Sequence, residues 1–202
     1  MQISVALNQT KLEAFRWREQ ARLPSKITMA ALMAAVVGLL AQVKVPLPFT
    51  PVPITGQTFG VLLAGVLLGK KWGGVSLGIY AVLGIVGLPW FNGSTSGLTA
   101  TAGYLVGFVL ASLFLGYFID KLPDKNNFNR MFGLMLFAAV IIVYVPGLLW
   151  LGLWLNLVKG TPADVLSILS LGAVPFIAGD ILKTGLAAVV AVKILPRKSS
   201  AK

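Results

Sequence analysis

GAVPFIAGDILKTGLAAVVAVKIL, Gly172–Leu195, is the stretch that decides the fold. It is long enough to cross a bilayer, which takes about 20 largely apolar residues. Ahead of its basic end it carries two charges, Asp180 and Lys183. A spacing of three puts both on one face of a helix. If the helix starts at Gly172 and rises about 1.5 Å per residue, both lie roughly 12–17 Å deep, near mid-bilayer. A charge there costs roughly 2.5–3.5 kcal/mol on insertion scales. The pair offsets part of that cost, either by locking helices together or by facing a cavity with a ligand that donates and accepts hydrogen bonds.

The rest of the chain agrees with this membrane reading. Its 202 residues are 57% hydrophobic and 11% charged, against roughly 25% charged in soluble domains. The mean hydropathy is +0.87. So few charges cannot cover a water-facing surface, which excludes a soluble globular enzyme. The sequence has no His and no Cys, so imidazole or thiolate metal sites, disulfides and Cys nucleophiles are absent. It has no G-x-x-x-x-G-K-[ST] loop, so energy for any pumping must come from a partner or an ion gradient.

Six spans are expected: Ile27–Val43, Thr55–Gly69, Trp72–Leu88, Thr101–Ile119, Met131–Leu157 and Gly172–Leu195. The fold class is therefore an all-α membrane bundle with six transmembrane helices. A basic leader (1–26) precedes the membrane domain (27–195), and a basic tail (196–202) follows it. Of the 17 basic residues, fourteen fall on one side of such a bundle: Lys11, Arg16, Arg18, Arg22, Lys26, Lys70, Lys71, Lys121, Lys125, Arg130, Lys193, Arg197, Lys198 and Lys202. Lys44 and Lys159 fall on the other. By the positive-inside rule both termini are cytoplasmic. The net charge of +11 then reflects topology in a multi-pass cell-membrane protein, and no nucleic-acid partner is expected. Lys11–Leu23 reads either as a helix on the inner membrane surface or as a loosely ordered leader.

The outer connections are the richer ones. Pro46, Pro48, Pro51 and Pro53 make Lys44–Ile54 an extended strap. Pro89–Ala100 reads PWFNGSTSGLTA. Thr161 as N-cap, with Pro162 at the first helical position, predicts a short helix over Pro162–Leu171. Candidate walls for a site around Asp180 and Lys183 are Gln57, Tyr80, Asn92, Tyr104 and Asn156, with Trp90, Trp150 and Trp154 near the outer ends. Small residues four apart recur, such as Gly103/Gly107/Ala111 and the pairs Ala30/Ala34 and Ala31/Ala35. These ladders permit close helix approach. The first-span ladder either packs internally or docks another protein.

The segments PVPITGQT (Pro51–Thr58), LLAGVLLG (Leu62–Gly69), GLPWFNG (Gly87–Gly93), AGYLVGF (Ala102–Phe108) and GAVPFIAGDILK (Gly172–Lys183) together resemble the BioY family. That family comprises the biotin-specific substrate-capture (S) components of energy-coupling-factor (ECF) transporters. The resemblance spans about Ile27–Leu195, and P-F-x-x-G-D-x-x-K is its most specific signal. It implies a six-helix S-component bundle that takes biotin from outside, with the first outer loop closing over the site. Biotin is then the transported substrate and no cofactor is expected. Asp180 and Lys183 would contact it, with Asn92, Gln57, Tyr104 and Tyr80 as further substrate-binding candidates. Ala30, Ala31, Ala34 and Ala35 would dock on the transmembrane coupling subunit, whose two ATPase partners supply energy.

Two positions depart from the family pattern. The run Thr99–Tyr104 lacks the proline of G-P-[TS]-x-G-Y, and the second outer loop has no basic residue. The biotin carboxylate is left with Lys183, Lys44 or the hydroxyls of Ser94, Thr95 and Ser96. The alternatives to this reading are an S component for another vitamin, such as thiamine or riboflavin, and a solitary gradient-driven carrier with Asp180 as its ion site.

Overall fold

The computed structural model describes residues 2–122 and 126–196, with residues 2–5 described by backbone only. Lys125, Arg197, Lys198 and Lys202 of the basic set lie outside the described residues, as does the tail beyond Pro196. Eight α-helices follow in order: α1 (Gln2–Gln20), α2 (Leu23–Gln42), α3 (Gln57–Ile85), α4 (Ala102–Lys121), α5 (Phe128–Phe137), α6 (Tyr144–Leu153), α7 (Val165–Gly172) and α8 (Ile177–Ile194). Two short strands, β1 (Lys44–Val45) and β2 (Ile54–Thr55), pair antiparallel. The leader is thus helical from its second residue, and α2 begins at Leu23, with proline in its first turn.

Four stretches are long and apolar enough to cross a membrane, and five if the bent pair α7–α8 counts as one span. Expected spans two and three both fall within α3. Gly69 divides it, with φ 78° and ψ 178°, a conformation that glycine adopts without a Cβ penalty. Gly73 comes back against Gly65 and Ala64, so α3 folds on itself as two arms. The expected fifth span runs Phe128–Val158 and owes its length to two π-helical turns, Ala138–Ile142 and Trp154–Val158.

The last span differs from expectation. The chain bends by 46° between α7 and α8, and α8 begins at Ile177 rather than Gly172. Asp180 therefore sits in the first turn of α8 instead of deep within a straight helix. A carboxylate there also faces the positive end of the helix dipole. The short helix before it starts at Val165. Its N-cap is Asp164, which accepts from Ser167 N at 2.9 Å, while the Thr161 hydroxyl donates to Leu155 O. The hydrogen bonds from Ser167, side chain first and then backbone, hold the Asp164 carboxyl below the usual carboxylate range. The cap's contribution is therefore present at neutral pH and is lost as pH falls through that lowered value.

Helix α4 is central, packing on both arms of α3 and on α6. A Cβ on Gly116 would meet the backbone of Gly69 and Lys70, which cannot yield as a side-chain tip can. Gly116→Ala is expected to cost about 1–3 kcal/mol and to lower the thermal midpoint in detergent. Gly133→Ala, whose Cβ would meet nothing within 4 Å, is the matched control and should leave the midpoint in place. Helix α2 lies at the periphery: 22% of its most apolar window is buried, against 61% for α4.

That placement corrects one expectation. Ala30 and Ala34 are fully buried, with Val37 and Ala41 on the same inward face. In this structure they pack inside the bundle and offer no exposed surface. Ala31 and Ala35 are exposed.

Candidate functional site

The pairing Lys44↔Thr55 and Val45↔Ile54 ties the two ends of the proline strap together. Its middle is fastened to the α7 end, where the Thr50 hydroxyl donates to Leu171 O at 2.6 Å. Beneath the strap is a cavity of ≈ 530 Å³ counting its mouth, walled by the starts of α3, α4 and α8 and by α6. It is a narrow slot rather than an open chamber.

Asp180 and Lys183 form its polar floor. Their side chains are 5% and 18% exposed, and Asp180 Oδ1 lies 2.5 Å from Lys183 Nζ. The other carboxylate oxygen, Oδ2, accepts from the Tyr144 hydroxyl at 2.5 Å. The ammonium also donates to Thr55 O at 2.9 Å. The island therefore joins α8 to α6 and to the strap's return strand. In a water-poor site, such charge-assisted hydrogen bonds are stronger than neutral ones.

Of the residues expected around this pair, Gln57, Asn92 and Tyr104 line the cavity. Tyr104 donates to Gly172 O at 2.7 Å, which fixes the α7–α8 bend. Gln57 accepts from the Thr55 hydroxyl at 2.7 Å and donates to the Tyr80 hydroxyl at 2.7 Å. Tyr80 is fully buried behind the wall, its ring tilted against Trp90 and edge-on to Phe91. It orients Gln57 and does not reach the cavity. Asn156 also lies away from it, bound to Gly152 O and Ala163 N. Trp150 donates to Thr99 O and Trp90 to Tyr80 O.

Sequence reasoning passed over Tyr144, Thr101, Phe108 and Phe176, which also line the cavity. Phe108 and Phe176 give it an apolar wall, and Thr101 hydrogen-bonds Asn92 and Thr99. The available signal for Tyr144 was a lone phenol within a long apolar run. The π turn that ends at Ile142 offsets the helical register just before it, so α-helical spacing could not assign its face.

Chemically, the cavity presents an acceptor, a donor and apolar rings within a few ångströms, which suits a small ligand with both hydrogen-bonding senses. Comparison with known proteins adds the lineage. The model of the BioY family matches residues 10–200.

The chain belongs to the BioY family.

Among its relatives is a protein of Methanothermobacter thermautotrophicus named as a probable biotin transporter, 44% identical over 67% of this chain and 89% of that one. The biotin transporter of Lactococcus lactis subsp. cremoris is 31% identical over 81% of this chain and 87% of its own length. Among solved structures, the S-component for biotin from an ECF-type ABC transporter superposes with a TM-score of 0.74. It is 30% identical, covering 84% of this chain and 90% of that one. This BioY protein is thus a multi-pass membrane protein of the transporter class with the S-component fold.

Proposed function

We propose that this BioY protein captures biotin from outside the cell in the cavity under the strap and delivers it with an ECF module. The observation that carries the reading is the buried Asp180–Lys183 pair opening on a slot with apolar walls, in a chain whose named relatives are biotin transporters. Biotin's ureido ring has two N–H donors and a carbonyl acceptor. Asp180 accepts the former and Lys183 donates to the latter. Its fused rings and valerate chain suit Phe108, Phe176 and Val52. Its carboxylate points to the mouth, where Lys44 stands in an adjoining hollow that shares Pro53 and Asn92 with the cavity. The hydroxyls of Ser94 and Thr95 are spoken for, by Gln42 and Asn92.

The two arms of α3 count as separate spans in this reading, which gives six with α2, α4, the Phe128–Val158 helix and α7–α8. Both termini are cytoplasmic. Arg18 binds Leu67 O and lies 3.8 Å from Asp120, and Lys11 binds Lys193 O. These contacts gather basic residues at the end away from the cavity, as the positive-inside rule requires. The partners are a transmembrane coupling subunit and two ATPases, so ATP is hydrolysed outside this chain.

Calorimetric titration of the purified protein with biotin is the test. A roughly nanomolar Kd is expected, about −12 kcal/mol. The slot is narrow, so the strap must lift for entry and close over the ligand. No heat at micromolar biotin, or displacement by thiamine or riboflavin at equal concentration, overturns the assignment.

A further inference from the structure

At the end of the bundle opposite the cavity, a second hollow of ≈ 720 Å³ counting its mouth lies between α1, the start of α2 and the break in α3. Its cations are Arg18, Lys26, Lys70 and Lys71, and its acids are Glu19 and Asp120. The ion pairs here go to Arg18, which lies 3.4 Å from Glu19 and 3.8 Å from Asp120. Among the described residues, these pairs leave Lys26, Lys70 and Lys71 without a carboxylate partner. Lys26 bonds Glu19 O, while Lys70 and Lys71 rest over the rings of Tyr117 and Trp72. Four cations against two acids leave the hollow with a net charge of +2, which attracts an anion.

A groove leaves this hollow through Lys70 and Lys71. It continues between α3 and α4 past Gly74, Val75 and Leu113, and its surface is almost wholly apolar. Lys70, Lys71, Gly74 and Val75 share one helix face by their spacing. Gly78, one turn further on, keeps that face open, since a Cβ there would meet nothing within 4 Å. A free phosphate would satisfy the lysines and leave the groove unused. A cationic hollow that runs into an apolar channel on a membrane helix has the form of a phospholipid: an anionic head and an acyl chain.

We propose that this seat holds an anionic glycerophospholipid, its phosphate head at Lys26, Lys70 and Lys71 and one acyl chain along Gly74, Val75 and Gly78. The proposal rests on reading the lysine-rich end as the membrane interface, where basic pockets between helices bind lipid heads. It does not depend on biotin. By bridging α1, α2 and both arms of α3, the lipid would clamp the leader helix to the bundle.

Native mass spectrometry of the full-length protein, from micelles with equimolar phosphatidylglycerol and phosphatidylcholine, reads the ratio of retained lipids. Wild type should retain phosphatidylglycerol in clear excess. Each lysine near the surface contributes roughly fivefold, so Lys70→Gln/Lys71→Gln should lower the excess about 25-fold. Gly78→Leu should reduce retention of the lipid without altering the lysines. A ratio near one in wild type, or an unchanged ratio in the double variant, overturns the proposal. So does displacement of the lipid by an equal concentration of glycerol phosphate, which would mark a site for soluble phosphate. Lys26→Gln, outside the α3 break, provides an independent reading if the double variant fails to fold. Biotin titration of the same preparations separates the two readings: lost biotin binding in wild type with lipid retained would refute the transport assignment alone.

Discussion

Asp180→Asn is expected to weaken biotin binding by at least ~30-fold while the protein still inserts and folds. Asparagine keeps the shape of the side chain and can still accept from Tyr144, whose hydroxyl lies 2.5 Å from Oδ2. It removes the charge opposite Lys183 and the charged acceptor for the ureido N–H groups. Truncating one partner of a buried, hydrogen-bonded charge pair costs about 2–5 kcal/mol of binding, and the lower bound corresponds to about 30-fold in Kd. Lys183→Met should do comparable harm by the converse route, leaving a carboxylate buried with only a phenol to support it. Tyr144→Phe removes one hydrogen bond to a charged group, about 1.5 kcal/mol, so a loss of roughly tenfold is expected. The rival view is that the pair merely locks α8 to α6 and to Thr55. In that case Asp180→Asn lowers the thermal midpoint and leaves Kd unchanged. Calorimetry and thermal unfolding on one preparation distinguish the two, and an unaltered Kd refutes the ligand role.

The features that were legible in the sequence are those that the membrane enforces. In lipid, each apolar run must be a helix that satisfies its own backbone, so the spans around Val37, Leu62, Leu105 and Leu151 could be placed by length alone. Asp180 and Lys183 stood out because charges within a span are costly. What escaped were the local breaks. Nothing in GAVPF states that the helix restarts at Ile177, and Pro175 marks a bend without giving its angle. Tyr144 was hidden by a π turn, which alters the face of every later residue without changing composition. Tyr80 was a candidate wall residue; only packing shows that it stands behind Gln57. The first-span ladder contained two alanine pairs offset by one residue. A one-residue offset is a rotation of about 100°, enough to separate a buried pair from an exposed one, and small size favours neither face.

That rotation decides where a coupling partner can meet this chain. Ala31→Trp or Ala35→Trp is expected to abolish energised biotin uptake in cells that supply an ECF module, with biotin binding by the purified protein within about twofold of wild type. Both alanines are exposed on α2, beside Leu32, Val36 and Leu39, which are 62%, 44% and 70% exposed. Small residues four apart make a flat strip on which another helix can lie closely, and an indole raised from that strip holds the two backbones apart. Binding should survive because the cavity is built from the strap and from α3, α4, α6 and α8. Ala30→Trp supplies the contrast. Its side chain has no exposed area, so the ring must be forced into the bundle, where overpacking costs typically about 1–3 kcal/mol or more; expression and binding should fall together. If Ala31→Trp and Ala35→Trp leave uptake intact, the strip faces lipid and the chain needs no partner on this helix. If they lose binding as well as uptake, α2 reports on the cavity and the docking assignment fails. Retained binding with lost uptake separates capture from delivery, because the capturing surface and the docking strip occupy different helices.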